Sequence, residues 1–111
     1  MRSPQPLFQA SLLTDGLAGD DAAVHELLEL FVVQAAATVD QLASAVAERD
    51  VEAVRRLAHG LAGSAATIGA LQLADASARL DKSARAGRLA QGSELQADLQ
   101  RSFESTRAAL A

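Results

Sequence analysis

The sequence predicts an all-α fold: an antiparallel up-down four-helix bundle with an additional short N-terminal helix. Three observations carry this expectation. Apolar residues recur at alternating steps of three and four along most of the chain, the spacing of one face of a helix. Half of the residues are hydrophobic, yet the aromatics are three Phe and much of the rest is Ala, a composition that suits closely packed helices better than sheets of β-branched and aromatic residues. The periodic stretches are joined by short links, which make consecutive helices antiparallel neighbours. With 111 residues the chain has the length of one domain, able to bury roughly 65% of its unfolded surface without a metal or disulfide.

The elements follow in order. Residues 1–6, with Pro4 and Pro6, read as a flexible start, and 7–111 as a single domain. A brief helix over 7–13 is expected to lie across the bundle, ended by Thr14-Asp15-Gly16 and Gly19. Asp20 or Asp21 is placed to cap the first long helix, whose Val24, Leu28, Phe31, Ala35, Leu42 and Val46 keep helical spacing to about Arg49. Asp50 is placed to cap the second, where Val51, Val54, Ala58, Leu61, Ala65 and Ile68 form the most regular stripe in the chain and Gly69 ends it. Leu73, Ser77, Leu80 and Ala84 mark the third, closing at Gly87 with Arg85 and Arg88 beside it. Ser93-Glu94-Leu95-Gln96 has capping-box spacing, and Leu95, Leu99, Phe103, Thr106 and Leu110 continue as the inward stripe of the last helix.

Composition excludes several function classes. The absence of cysteine removes disulfide scaffolds, cysteine zinc sites, iron–sulfur clusters and thiol nucleophiles. A net charge of −4 gives no general attraction to phosphate backbones or anionic lipid, so nucleic acid is not an expected partner. The N-terminus lacks the unbroken apolar run of a signal peptide. The long uncharged stretch 57–74 carries glycines, His59, Ser64, Thr67 and Gln72, which argues against direct membrane insertion. A cytoplasmic location is expected. His25 and His59 offer no metal site: a hairpin turning near Asp50 sets His59 level with about Gln41, leaving His25 roughly 24 Å away at 1.5 Å per residue.

His59 attracts attention by its direction. At about 100° per residue it points roughly 130° from the centre of its helix's apolar stripe, into water. Arg55, Ala62, Gly63 and Ala66 share that side, so the surface C-terminal to the imidazole is almost bare. Gly60 and Gly63 flank it, each costing roughly 0.5–1 kcal/mol against Ala in mid-helix. The bland alternatives are a solvated histidine and glycines that let helices approach.

The segment Ala58-His59-Gly60-Leu61-Ala62-Gly63-Ser64-Ala65-Ala66-Thr67-Ile68-Gly69-Ala70, followed by Leu73 and Leu80, resembles the signature of histidine phosphotransfer (HPt) domains. Leu27-Leu28-Glu29-Leu30-Phe31, the Ala45-Val46 to Asp50 turn and Arg85-Ala86-Gly87 extend the likeness over about residues 7–110. The resemblance implies that His59 is the phosphorylation site. It would accept a phosphoryl group from an aspartyl phosphate on one receiver domain and pass it to an aspartate on another. The implied partners are receiver domains of response regulators or of a hybrid sensor histidine kinase. The implied carrier is a monomer without cofactor or metal of its own, since Mg²⁺ and its acidic pocket belong to the receiver, and it is cytoplasmic or a cytoplasmic domain of a membrane-bound hybrid kinase.

One departure stands out. The family has Lys before the second glycine, where this chain has Ala62. Arg55 or Arg56, one turn before His59, offers a partial substitute, although an exposed ion pair is worth only about 0–1 kcal/mol. Ser64 matches a family position near the site, with a hydrogen bond back to its own helix as the plainer reading. The competing functions are a helical interaction module whose histidine is never phosphorylated, motivated by the missing Lys, and a small acid–base enzyme, for which an Ala- and Leu-filled bundle leaves little pocket.

Overall fold

Four apolar stripes become four helices. The structure, a computed structural model, describes residues 21–110, and among them α1 spans Asp21–Ala47, α2 Val51–Thr67, α3 Leu71–Arg85 and α4 Gly92–Leu110, with a 3₁₀ turn at Leu89–Gln91 leading into α4. The expected helix over 7–13 and the candidate cap Asp20 lie outside the described residues. Each helix packs on its sequence neighbours, α4 closes back on α1, and the α2–α3 interface is the most extensive. This is the antiparallel up-down bundle that the short links require.

The core is built from the predicted stripes. Leu42, Val54, Ala58, Ala65, Leu73, Leu80 and Leu99 are fully enclosed, and Phe103 nearly so. Two details differ from the sequence reading. Val39 fills the step between Ala35 and Leu42 and is buried, completing the spacing of α1. Val51 is 37% exposed, because the first residue of α2 lies past the edge of the core its stripe otherwise follows.

Helix ends are made as much by backbone as by side chains. Asp50 caps α2 as expected, its Oδ1 accepting from the Ala53 N–H at 3.2 Å. At the C-termini, Gly69 and Gly87 take positive φ of 81° and 74°. In each case the following N–H reaches back: Ala70 to the Ala65 carbonyl at 2.8 Å and Arg88 to the Ser83 carbonyl at 2.9 Å, the six-to-one bond of a Schellman ending. α1 closes identically, with Asp50 N–H on the Ala45 carbonyl at 2.9 Å and Arg49 N–H on the Val46 carbonyl at 3.1 Å. There the left-handed residue is Arg49, at φ 55°, so the helix stops two residues before the expected boundary.

The predicted capping box does not form. Helical structure already begins at the Leu89–Gln91 turn and continues through Gly92, placing Ser93 inside α4. Burial explains the earlier start: Leu89 is 8% exposed, and a Cβ at Gly92 would come within 3.0 Å of Leu89 Cδ1 and 3.1 Å of Val46 Cγ1. Gln96 turns inward instead and donates from Nε2 to the Val39 carbonyl of α1 at 3.3 Å. Among the described helices α1 is long and apolar enough to cross a bilayer by length and composition, but its buried face, from Phe31 to Val46, is part of the bundle core.

Candidate functional site

The apolar stripe of α2 fixes what its other face presents. With Ala58, Leu61 and Ala65 locked inward against the bundle, helix geometry turns His59 outward, and its side chain is 75% exposed. A Cβ at either Gly60 or Gly63 would meet nothing within 4 Å. Both glycines therefore lie on open surface, and close helix packing is not the reason for them. Ala62 is half-buried and Ala66 exposed, so small residues do extend C-terminal to the imidazole.

On the other side of His59 the surface is cationic. His59, Arg55, Arg56, Glu52 and Arg85 line a shallow depression of about 210 Å³. Arg55, half-buried, is held by Glu52, with Nη1 3.1 Å from Oε1. Thus both arginines named from sequence stand beside His59, joined by a third from α3. Gly60 and Ser64 open instead toward a groove shared with α1, lined also by Phe31, Gln34, Thr38 and Arg56. The Ser64 hydroxyl donates to the Leu61 carbonyl of its own helix at 3.2 Å, the plainer of its two readings.

Asp81 is the residue that sequence reasoning missed. It lies on α3 next to the core position Leu80, with a side chain only 11% exposed, and its Oδ2 is 3.6 Å from His59 Nδ1. Its other oxygen accepts from Arg85 Nε at 3.0 Å. The available signal was an acidic residue at the border of an apolar stripe, four residues before an arginine. Its partner on α2 is set by helix pairing, which spacing along one helix does not reveal. Because Nδ1 is turned toward Asp81, the opposite ring nitrogen, Nε2, is directed away from it.

His25 is exposed and pairs within its own helix, Nε2 lying 2.9 Å from Glu29 Oε1. Among the described residues no group of three or more His, Asp or Glu side chains is placed to hold a metal ion.

An outward histidine beside a small-residue surface, on the second helix of such a bundle, is the arrangement the signature resemblance implies, and residues 26–109 match the sequence model of the Hpt domain. The chain belongs to the Hpt domain family. Its fold agrees with that membership: the bundle superposes on the crystal structure of histidine-containing phosphotransfer protein B (HptB) from Pseudomonas aeruginosa PAO1 with a TM-score of 0.88, at 27% identity over 95% of this chain and 91% of that one. A search of curated protein sequences gives no significant match. As an Hpt domain the chain has a phosphotransfer role in two-component relays, working with receiver domains. Ala62, next to Gly63, is half-buried at the edge of the open face.

Proposed function

We propose that this Hpt domain is a phosphoryl carrier in a multistep relay, accepting the group on His59 from a receiver aspartyl phosphate and returning it to a second receiver aspartate. The observation that carries the reading is His59 itself, three-quarters exposed on a helix face where Gly60 and Gly63 leave open space. Neutral imidazole is a nucleophile near pH 7, and a phosphorylated ring nitrogen keeps the transfer potential that a phosphoserine would lose. Transfer between two proteins needs the attacking nitrogen in line with phosphorus and little bulk around it, which the surface after His59 satisfies.

Mg²⁺ and its acidic pocket are assigned to the receiver. The carboxylates nearest His59 do not suit a cation, since Glu52 is committed to Arg55 and Asp81 to Arg85. Arg55, Arg56 and Arg85 outnumber Glu52 and Asp81 beside His59, which leaves a net cationic balance in place of the missing lysine. Residues 7–111 are assigned to one such domain.

The test is incubation with receiver domains charged by acetyl phosphate. Label that is acid-labile and alkali-stable is expected on the wild type and absent from His59→Gln, whose circular dichroism and melting should match wild type. Label retained by that variant would move the acceptor elsewhere. A wild type that accepts nothing would favour a non-phosphorylated binding module.

A further inference from the structure

We infer that Arg56 is the residue that holds the phosphoryl group carried on His59, standing three residues before the histidine where the family places its cation three residues after. The inference rests on the carrier reading above and names the phosphoryl-binding side chain.

Helix symmetry makes the two positions equivalent. At about 100° per residue, the residues three before and three after a given one lie about 60° to either side of it, each on a neighbouring turn and within reach of its side chain. Position 62 is the later of these neighbours of His59, and Ala62 brings no charge there. Position 56 is the earlier. Cβ atoms tilt toward the helix N-terminus, so the imidazole leans over the turn that holds Arg56. Arg56 stands on the side of α1, whose groove with α2 it also lines.

Three guanidinium groups share the depression with His59, and their pairing separates them. Arg55 gives Nη1 to Glu52 Oε1 at 3.1 Å, and its Nε is enclosed without an acceptor, so that edge of its fork is shut off from the open surface. Arg85 donates from Nε to Asp81 Oδ1 at 3.0 Å. A carboxylate in contact with a guanidinium cancels much of its field at a third group. Arg56 is exposed and has no hydrogen bond or ion pair among the described residues. Five N–H donors on a planar group that is always charged are therefore uncommitted. The α1–α2 groove on its other side, with Gln34, Thr38, Gly60 and Ser64, holds no carboxylate to claim it.

The phosphoryl group supplies the acceptor. A ring nitrogen of His59 forms the N–P bond, the P–O bond to the receiver aspartate breaks, and the electron pair leaves with that carboxylate. The phosphoryl oxygens then carry up to about two negative charges at the ring, one turn from Arg56, and a guanidinium meets two such oxygens at once through parallel N–H donors. On return transfer the N–P bond breaks, its electron pair goes back to the ring nitrogen, and Arg56 is released.

The test reads the charge of the phosphoryl group itself. The full chain is phosphorylated with phosphoramidate, a small phosphoryl donor that needs no docking surface, and the ³¹P resonance of the phosphohistidine is titrated with pH. A cation in contact favours the doubly charged form and lowers the pH at which that form appears. Arg56→Gln is expected to raise this midpoint by about 0.2–0.7 of a unit, the range set by an exposed ion pair. Arg56→Lys, which keeps the charge, should recover more than half of that shift. Glu52→Gln combined with Arg55→Gln removes a neutral pair and should leave the midpoint at its wild-type value. Position 56 is exposed and Gln suits a helix, so melting should be unchanged in the Arg56 variants.

An Arg56→Gln midpoint equal to wild type, or a midpoint moved as far by loss of the Glu52–Arg55 pair, would overturn the inference while leaving His59 as carrier. A wild type labelled by neither phosphoramidate nor charged receivers would overturn the carrier reading, and the role of Arg56 with it.

Discussion

At the scale of single residues, the two sides of His59 make separable predictions. Gly63 stands on open surface, so Gly63→Gln should leave stability equal or raise it by up to about 1 kcal/mol, the amount recovered by replacing a helical glycine. It should still block transfer from a charged receiver, since the new side chain fills space the partner must enter, while labelling by phosphoramidate persists. Thermal melts and the two labelling assays check this; a stable variant that accepts from receivers at the normal rate would remove Gly63 from the docking surface. Ala62→Lys restores the family cation at a half-buried position where Ala makes no polar contact. It should alter the transfer rate or the lifetime of the phosphohistidine with little effect on melting. Unchanged kinetics would mean that the arginines beside His59 already suffice. The histidine and its bare surface were legible in the sequence because both are properties of one helix. Asp81 and Arg85 were not, because they reach the site from a different helix.

At the scale of the element, the helix ends divide by the same logic. Gly69 and Gly87 announced their endings, since glycine is the residue that adopts left-handed φ without strain. Arg49 closes α1 with the same hydrogen bonds but carries no such mark, so a reading by residue type overran the helix by two positions. Arg49→Gly should therefore stabilise the protein by up to about 1 kcal/mol, as relief of the side chain's left-handed strain is partly offset by the entropy of a glycine in the unfolded chain. A raised urea midpoint at unchanged slope is the expected result, and a lowered one would show that the arginine side chain contributes more than its backbone costs. The start of α4 was misread for a different reason. Ser93 and Gln96 have the right spacing for a local cap, but burial of Leu89 extends helical structure upstream and turns Gln96 toward Val39; a tertiary contact displaced a local one.

At the scale of the whole molecule, the core and the site are mechanically separate. Leu99 is wholly enclosed on α4, and α4 contributes nothing to the surface around His59. Leu99→Ala should cost on the order of 2–5 kcal/mol, seen as a lower urea midpoint. Labelling of His59 by phosphoramidate, measured well below the melting transition, should be unchanged. A parallel loss of reactivity would mean that core packing and the imidazole are coupled. The bundle itself was legible because alternating steps of three and four specify both where each helix faces and that its neighbour must cover it. The exposure of His59 has one more consequence, and it concerns linkage. A ring three-quarters in water has nearly the same surroundings folded and unfolded, so adding a phosphoryl group to it can shift the folding equilibrium only by its few surface contacts. Charged and uncharged forms of the carrier should then share one melting curve and one shape, and the fold would keep no record of the signal: what distinguishes the two states is legible only to a partner that touches the histidine.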